Sequence, residues 1–114
     1  MGDGNVVIIG YIEVDPADRA RWLELVTPLV EKTRHEEGAL DYAVGPDLVE
    51  PNRIILYERY TGPEALQAHM ASDHFKEFIA AARDIPITGG PHNTRFYQGG
   101  EFSYGPSPLA SSQG

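Results

Sequence analysis

Hydrophobic and polar positions follow two alternating periods along this chain. Residues 5–14, NVVIIGYIEV, are β-branched and apolar almost throughout and stop at Asp15-Pro16. That pattern predicts a strand buried on both faces. The period then changes: Trp22, Leu25, Val26, Leu29, Val30 and Thr33 recur at the spacing of one helical stripe. Asp15 is placed to cap this helix, Pro16 to open it and Gly38 to end it, with Asp18 in the first turn where the helix dipole favours an anion. Pro28 lies inside the pattern, removes one hydrogen bond and predicts a kink.

The two-residue period returns in ALDYAVG, residues 39–45, where Leu40, Tyr42 and Val44 alternate with polar or small residues. RIILYERYT, residues 53–61, is apolar or aromatic at most positions, and the short turn PDLVEPN joins the two into an antiparallel hairpin. Gly62-Pro63 opens a second helical stretch, residues 63–84, carrying Leu66, Met70, Phe75, Phe78, Ile79 and Ala82. Its stripe slips in phase around Ala71-Ser72-Asp73, and a Ser followed by an acid is a helix-start signature. The helix is therefore expected to break and restart with Ser72 as cap. A Gly/Pro-rich connection, residues 85–93, leads to a last strand in TRFYQGG, residues 94–100.

The resulting order, β-α-β-β-α-β, predicts an α+β ferredoxin-like fold, a four-stranded antiparallel sheet with two helices on one face. Residues 1–98 form the domain. Residues 99–114, rich in Gly, Pro and Ser, are expected to be a mobile tail or to lie over a partner. Helices cover only one sheet face, yet strand 53–60 is apolar on both: Ile54, Leu56 and Tyr60 on one, Ile55 and Tyr57 on the other. An exposed apolar patch of that size predicts a homodimer pressed sheet to sheet.

Composition narrows the partners. With 17 acidic and 9 basic residues the net charge is −8. This field repels nucleic acid and anionic lipid, so neither is expected as a partner. The chain of 114 residues has no cysteine, which excludes disulfides, thiolate zinc and a cysteine nucleophile. The first 15 residues match neither a signal peptide nor a membrane span, so a soluble, cytoplasmic domain is expected.

The residues able to carry chemistry cluster in LQAHMASDHFKEF. On an unbroken helix His69 and His74 would stand about 140° apart, and the spacing that puts two histidines on one face is absent. No metal is expected from that spacing. With a break at Ser72, both histidines could border one cavity with free backbone N–H groups between them, a setting for a phenolate. A histidine, His69 by preference, is the natural base for a phenolic proton near neutral pH. The alternative is that His69 satisfies a buried carbonyl and His74 is solvated. Tyr57 and Glu58 occupy opposite faces of one strand, so one of them at most faces a cavity. Glu58 could orient His69, or pair with Arg53, Arg59 or Arg95. Tyr42 could hydrogen-bond a substrate oxygen, and Trp22, Phe75 and Phe78 could stack on a planar substrate or simply fill the core. His92 carries no assignment, and the run EKTRHEE, Glu31 to Glu37, reads as a solvated face. There is no Gly-rich phosphate loop and no nucleophile elbow.

Taken together, the element order, EEGALDY, ILYERY and the pattern H-x-x-S-x-H-F preceded by Y-E-x-Y resemble the antibiotic biosynthesis monooxygenase (ABM) domain family over roughly residues 5–98. The resemblance implies a dimeric α+β barrel with a cavity between sheet and helices in each subunit, and an Asn5 amide that can face it. It implies an enzyme that oxidises an aromatic phenol or quinol to a quinone with O2 and no cofactor. An isomerase or other proton-transfer enzyme on a small oxygenated metabolite, or a non-catalytic dimeric binding domain, are the alternatives. Haem-degrading members carry Trp where this chain has His69, and a haem-ligating histidine where it has Ile79, so haem is not expected.

Overall fold

A computed structural model describes residues 5–89 of the chain in full and residues 95–98 through their backbone. Strand β1 (Val6–Val14) is central and leads into helix α1 (Pro16–Thr33), followed by the hairpin β2 (Ala39–Pro46) and β3 (Arg53–Tyr60). Helices α2 (Pro63–Ala71) and α3 (Asp73–Ala81) come next, then the short strands β4 (Ile87–Gly89) and β5 (Arg95–Gln98). The sheet runs β2-β3-β1, and β4 and β5 share the remaining edge of β1. β4 pairs with Glu13 and Val14, while β5 pairs with Val6 to Ile9; every pairing is antiparallel. The expected α+β ferredoxin-like fold is therefore present. One detail differs: part of the connection 85–93 is itself a strand, because Ile87 to Gly89 find unpaired β1 groups opposite them. His92 and the tail 99–114 lie outside the described residues.

Alternation divides each strand cleanly. Val6, Ile8, Ile12 and Val14 of β1, Ile54, Leu56 and Tyr60 of β3, and Tyr42 and Val44 of β2 pack in one core with Trp22, Val26 and Leu29 of α1. Val7, Ile9, Tyr11 and Glu13 of β1 and Ile55, Tyr57 and Arg59 of β3 stand on the opposite face, as the cross-strand register requires. Ile9 and Ile55 on that face are each 43% exposed.

Two helix ends position the site. Helix α1 is capped as expected, with Asp15 Oδ1 accepting from Ala17 N at 2.9 Å, and it continues through Pro28. It ends at Thr33, however, and not at Gly38. Residues 34–37 form turns, with Glu36 N donating to Thr33 O at 2.9 Å. Gly38 serves another purpose here: a Cβ at this position would collide with the Cβ of Ala65, so only glycine lets the start of β2 approach α2. The second helical stretch breaks at Ser72, which adopts an extended conformation (φ −71°, ψ 155°). Its Oγ accepts from Phe75 N at 3.2 Å and donates to His69 O at 2.6 Å. One hydroxyl thus caps α3, a contribution of about 1 kcal/mol, and ties down the end of α2.

Candidate active site

The break at Ser72 places His69 in the last turn of α2 and His74 in the first turn of α3. Both rings turn to the same group, the carboxylate of Glu36. Its Oε2 lies 3.0 Å from His69 Nδ1 and 2.5 Å from His74 Nε2. Thr33 Oγ1 sits 3.4 Å from His69 Nδ1. An ionised carboxylate only accepts hydrogen bonds, so each of these nitrogens carries a hydrogen when Glu36 is charged. Neutral rings then keep lone pairs on His69 Nε2 and His74 Nδ1.

His69 is 1% exposed, walled by Tyr42 (ring centroids 5.1 Å apart), Tyr60 (5.6 Å) and Phe75 (5.1 Å). Behind it, Tyr60 donates its hydroxyl to Glu58 Oε1 at 2.6 Å. Burial pushes the Glu58 carboxyl above its ordinary range, although the Tyr60 hydrogen bond and a positive charge on His69 pull it back. Burial, then the negative charge of Glu58, drives the Tyr42 and Tyr60 phenols far up, so both stay protonated. Neither tyrosine is a base. That leaves the imidazoles and the two carboxyl groups, Glu36 and Glu58, as the groups able to move a proton.

The structure sorts the expected site residues into three places. His69, His74, Tyr42, Phe75 and Glu58 gather around the imidazole pair. Trp22 and Phe78 pack edge to face, 5.1 Å apart at 87°, between α1 and α3. Tyr57 and Asn5 lie on the other face of the sheet. Tyr57 donates to Asp41 Oδ2 at 3.3 Å. The Asn5 amide oxygen, turned toward Arg59, accepts from Nη2 at 2.6 Å and Nε at 3.2 Å. Glu58 does not pair with Arg53 or Arg59, because strand alternation puts both arginines on the opposite face, where they meet Glu13 and Asp41.

One reading changes. The run 31–37 is not a uniformly solvated face: helical winding stops at Thr33, and the turn carries Glu36 inward to a side-chain exposure of 17%. The signal was present, since Glu36 follows Thr33 by three residues and so continues the stripe Trp22, Val26, Leu29, Thr33. Tyr42, Tyr60 and Phe75 flank the His69 ring, with Glu36 at its Nδ1. His74 instead borders a groove of about 240 Å³ between α1 and α3, lined by Leu25, Pro28, Leu29 and Phe78 among others. A second cleft, about 340 Å³, reaches Tyr42 from the edge of β2 beside Arg34 and Leu40.

Comparison with known proteins gives a consistent family. Residues 5–81 match the antibiotic biosynthesis monooxygenase family. The chain is 29% identical over 80 residues to YcnE of Bacillus subtilis (strain 168), whose name assigns it provisionally to the monooxygenases; the match covers 70% of this chain and 84% of YcnE. It is 28% identical over 83 residues to the uncharacterized protein sll1783 of Synechocystis, covering 73% of this chain but spanning only 56% of that protein. A solved structure of a conserved protein from Methanosarcina mazei Go1 superposes with a TM-score of 0.71 at 26% identity, covering 82% of this chain and 90% of the other. PA3566 from Pseudomonas aeruginosa shares the fold with a TM-score of 0.72 at 19% identity, covering 90% and 99%.

Glu58 supplies a pH test. Its raised value means that folding favours the protonated carboxyl. That contribution is fully present below the ordinary value of 4.5 and is lost as pH rises through the raised folded value. Glu58→Gln keeps an acceptor for Tyr60 and removes the ionisation. In denaturant unfolding from pH 4.5 upward, the wild-type chain should lose stability that the variant keeps. Parallel profiles would contradict this.

Proposed function

The chain belongs to the antibiotic biosynthesis monooxygenase family, and we propose that it oxidises a small aromatic phenol or quinol to a quinone with O2, without a bound cofactor. The observation that carries this reading is the single Glu36 carboxylate joined to both His69 and His74. A carboxylate hydrogen-bonded to an imidazole fixes its tautomer and stabilises the imidazolium that forms when the ring accepts a proton. His74, with 20% of its side chain exposed, is the ring a ligand in the α1–α3 groove can meet; His69 is the sealed partner. The apolar walls Leu25, Leu29 and Phe78 suit a planar ring, and excluding water there strengthens the electrostatic interactions a bound anion makes.

The chemistry then needs only the substrate and oxygen. The histidine takes the phenolic proton. The electron-rich anion gives one electron to O2, and the radical pair joins to form a carbon–oxygen bond. The peroxide loses its O–O bond and the ring C–H proton. One oxygen remains as the quinone carbonyl and the other leaves as water. The protein contributes desolvation, orientation and the base.

Oxygen uptake with a hydroquinone and anthrone panel, in chelator and without added flavin, tests this. The wild-type chain should consume O2, and His74→Ala and Glu36→Gln should lower the rate by about 10²–10⁴-fold and less, respectively. No uptake across the panel, or undiminished uptake in both variants, would remove the reading.

We also infer that two copies meet through the outer sheet face. Ile9, Ile55 and Tyr57 share that face, and no helix covers it among the described residues. Light scattering should give twice the 12.5 kDa chain mass, with Ile55→Lys returning the monomer. A wild-type monomer at micromolar concentration is the contrary result.

A further inference from the structure

The same three residues admit a second use that does not depend on the base chemistry. Glu36, His69 and His74 come from three separate segments, the turn after α1, the end of α2 and the start of α3. Each offers one ligand atom, and these atoms all lie within 4.8 Å of one another. We propose that they form a binding site for one divalent first-row transition ion, of which Zn2+ is the representative.

The donor set argues the class of ion. Two imidazole nitrogens and one carboxylate oxygen suit zinc, iron, cobalt, nickel or copper, whereas magnesium and calcium prefer sites made of oxygens. The distances argue the fit. Ligand atoms about 2.1 Å from a tetrahedral ion stand about 3.4 Å apart. Here Oε2 is 3.0 Å from His69 Nδ1 and 2.5 Å from His74 Nε2. Shifts of about 1 Å or less would open the cluster around an ion that replaces the two shared hydrogens. Holding the ligands costs little further entropy, because the aromatic wall fixes the His69 ring and Ser72 fixes the break that aims both histidines. Three protein ligands leave a position open. The exposed edges of Glu36 (17%) and His74 (20%) put that position on the wet side of the cluster. This is the pattern of an open site; a closed structural site would carry a fourth protein ligand.

Each ligand nitrogen must lose its hydrogen for the ion to bind, so binding weakens as pH falls. The test is a Co2+ titration of the full chain, stripped of metal and without substrate, read by the visible absorption of nitrogen-ligated cobalt and by competition with Zn2+. One cobalt per chain should give the absorption, and Zn2+ should abolish it. His74→Ala, on the rim of the site, should weaken binding at least tenfold with circular dichroism unchanged, while His35→Ala, an exposed neighbour, should bind as wild type. Absence of the absorption, or equal affinity in His74→Ala and the wild type, would overturn the proposal. Because oxygen uptake is measured in chelator, the failure of either reading leaves the other standing.

Discussion

Around this site, the architecture depends on one half-buried carboxylate. Glu36 is brought out of solvent without a lysine or arginine partner among the described contacts, and two imidazoles stand in for one. Removing that acceptor would leave the sealed His69 N–H with only the Thr33 hydroxyl at 3.4 Å, a cost of about 1–3 kcal/mol. Three backbone features must agree for the cluster to exist. Helix α1 has to stop at Thr33, the second helix has to break at Ser72, and Gly38 has to let the chain pass Ala65 closely. Each is a local event, yet all three converge on the same few cubic ångströms.

The sheet then separates two chemistries. Toward the helices, β2 and β3 present Tyr42, Glu58 and Tyr60 to His69, a buried polar group among aromatic rings. Away from them, the same strands present Asp41, Tyr57 and Arg59, with Asn5 alongside. Neighbouring residues such as Tyr57 and Glu58 therefore belong to different surfaces, and a motif such as Y-E-x-Y is a two-faced object. Its Glu and second Tyr serve the interior as one hydrogen-bonded pair, while its first Tyr serves the face proposed for a second copy.

Most of the fold was legible in the sequence because it rests on periodicity. The apolar runs of β1 and β3, the two-residue alternation of β2, the stripe of α1 and the phase slip at Ser72 each have a direct structural counterpart. Strand β4 was less visible, since Ile87 to Gly89 sit in a Gly/Pro-rich stretch and form a strand only because β1 offers open hydrogen-bonding groups. The site was half legible. His69 and His74 stood out by residue type and by the break between them. Glu36 did not, because it lies in a charged run that resembles any solvated helix end, and only its three-residue step from Thr33 hints that it turns inward. Asn5 and Tyr57 drew attention through resemblance to a family pattern; strand alternation and the contacts with Arg59 and Asp41 place them on the far face. No amount of spacing could show that aromatic rings close around His69, because that depends on how three elements pack together.

In this arrangement Glu36 accepts from His69 Nδ1 and His74 Nε2 at once. Long-range proton–nitrogen correlation spectra of the histidine rings in the metal-free chain test it most directly. A hydrogen is expected on Nδ1 of His69 and on Nε2 of His74, with both ring signatures altered in Glu36→Gln. A His69 ring bare at Nδ1, or histidine spectra indifferent to Glu36→Gln, would contradict it.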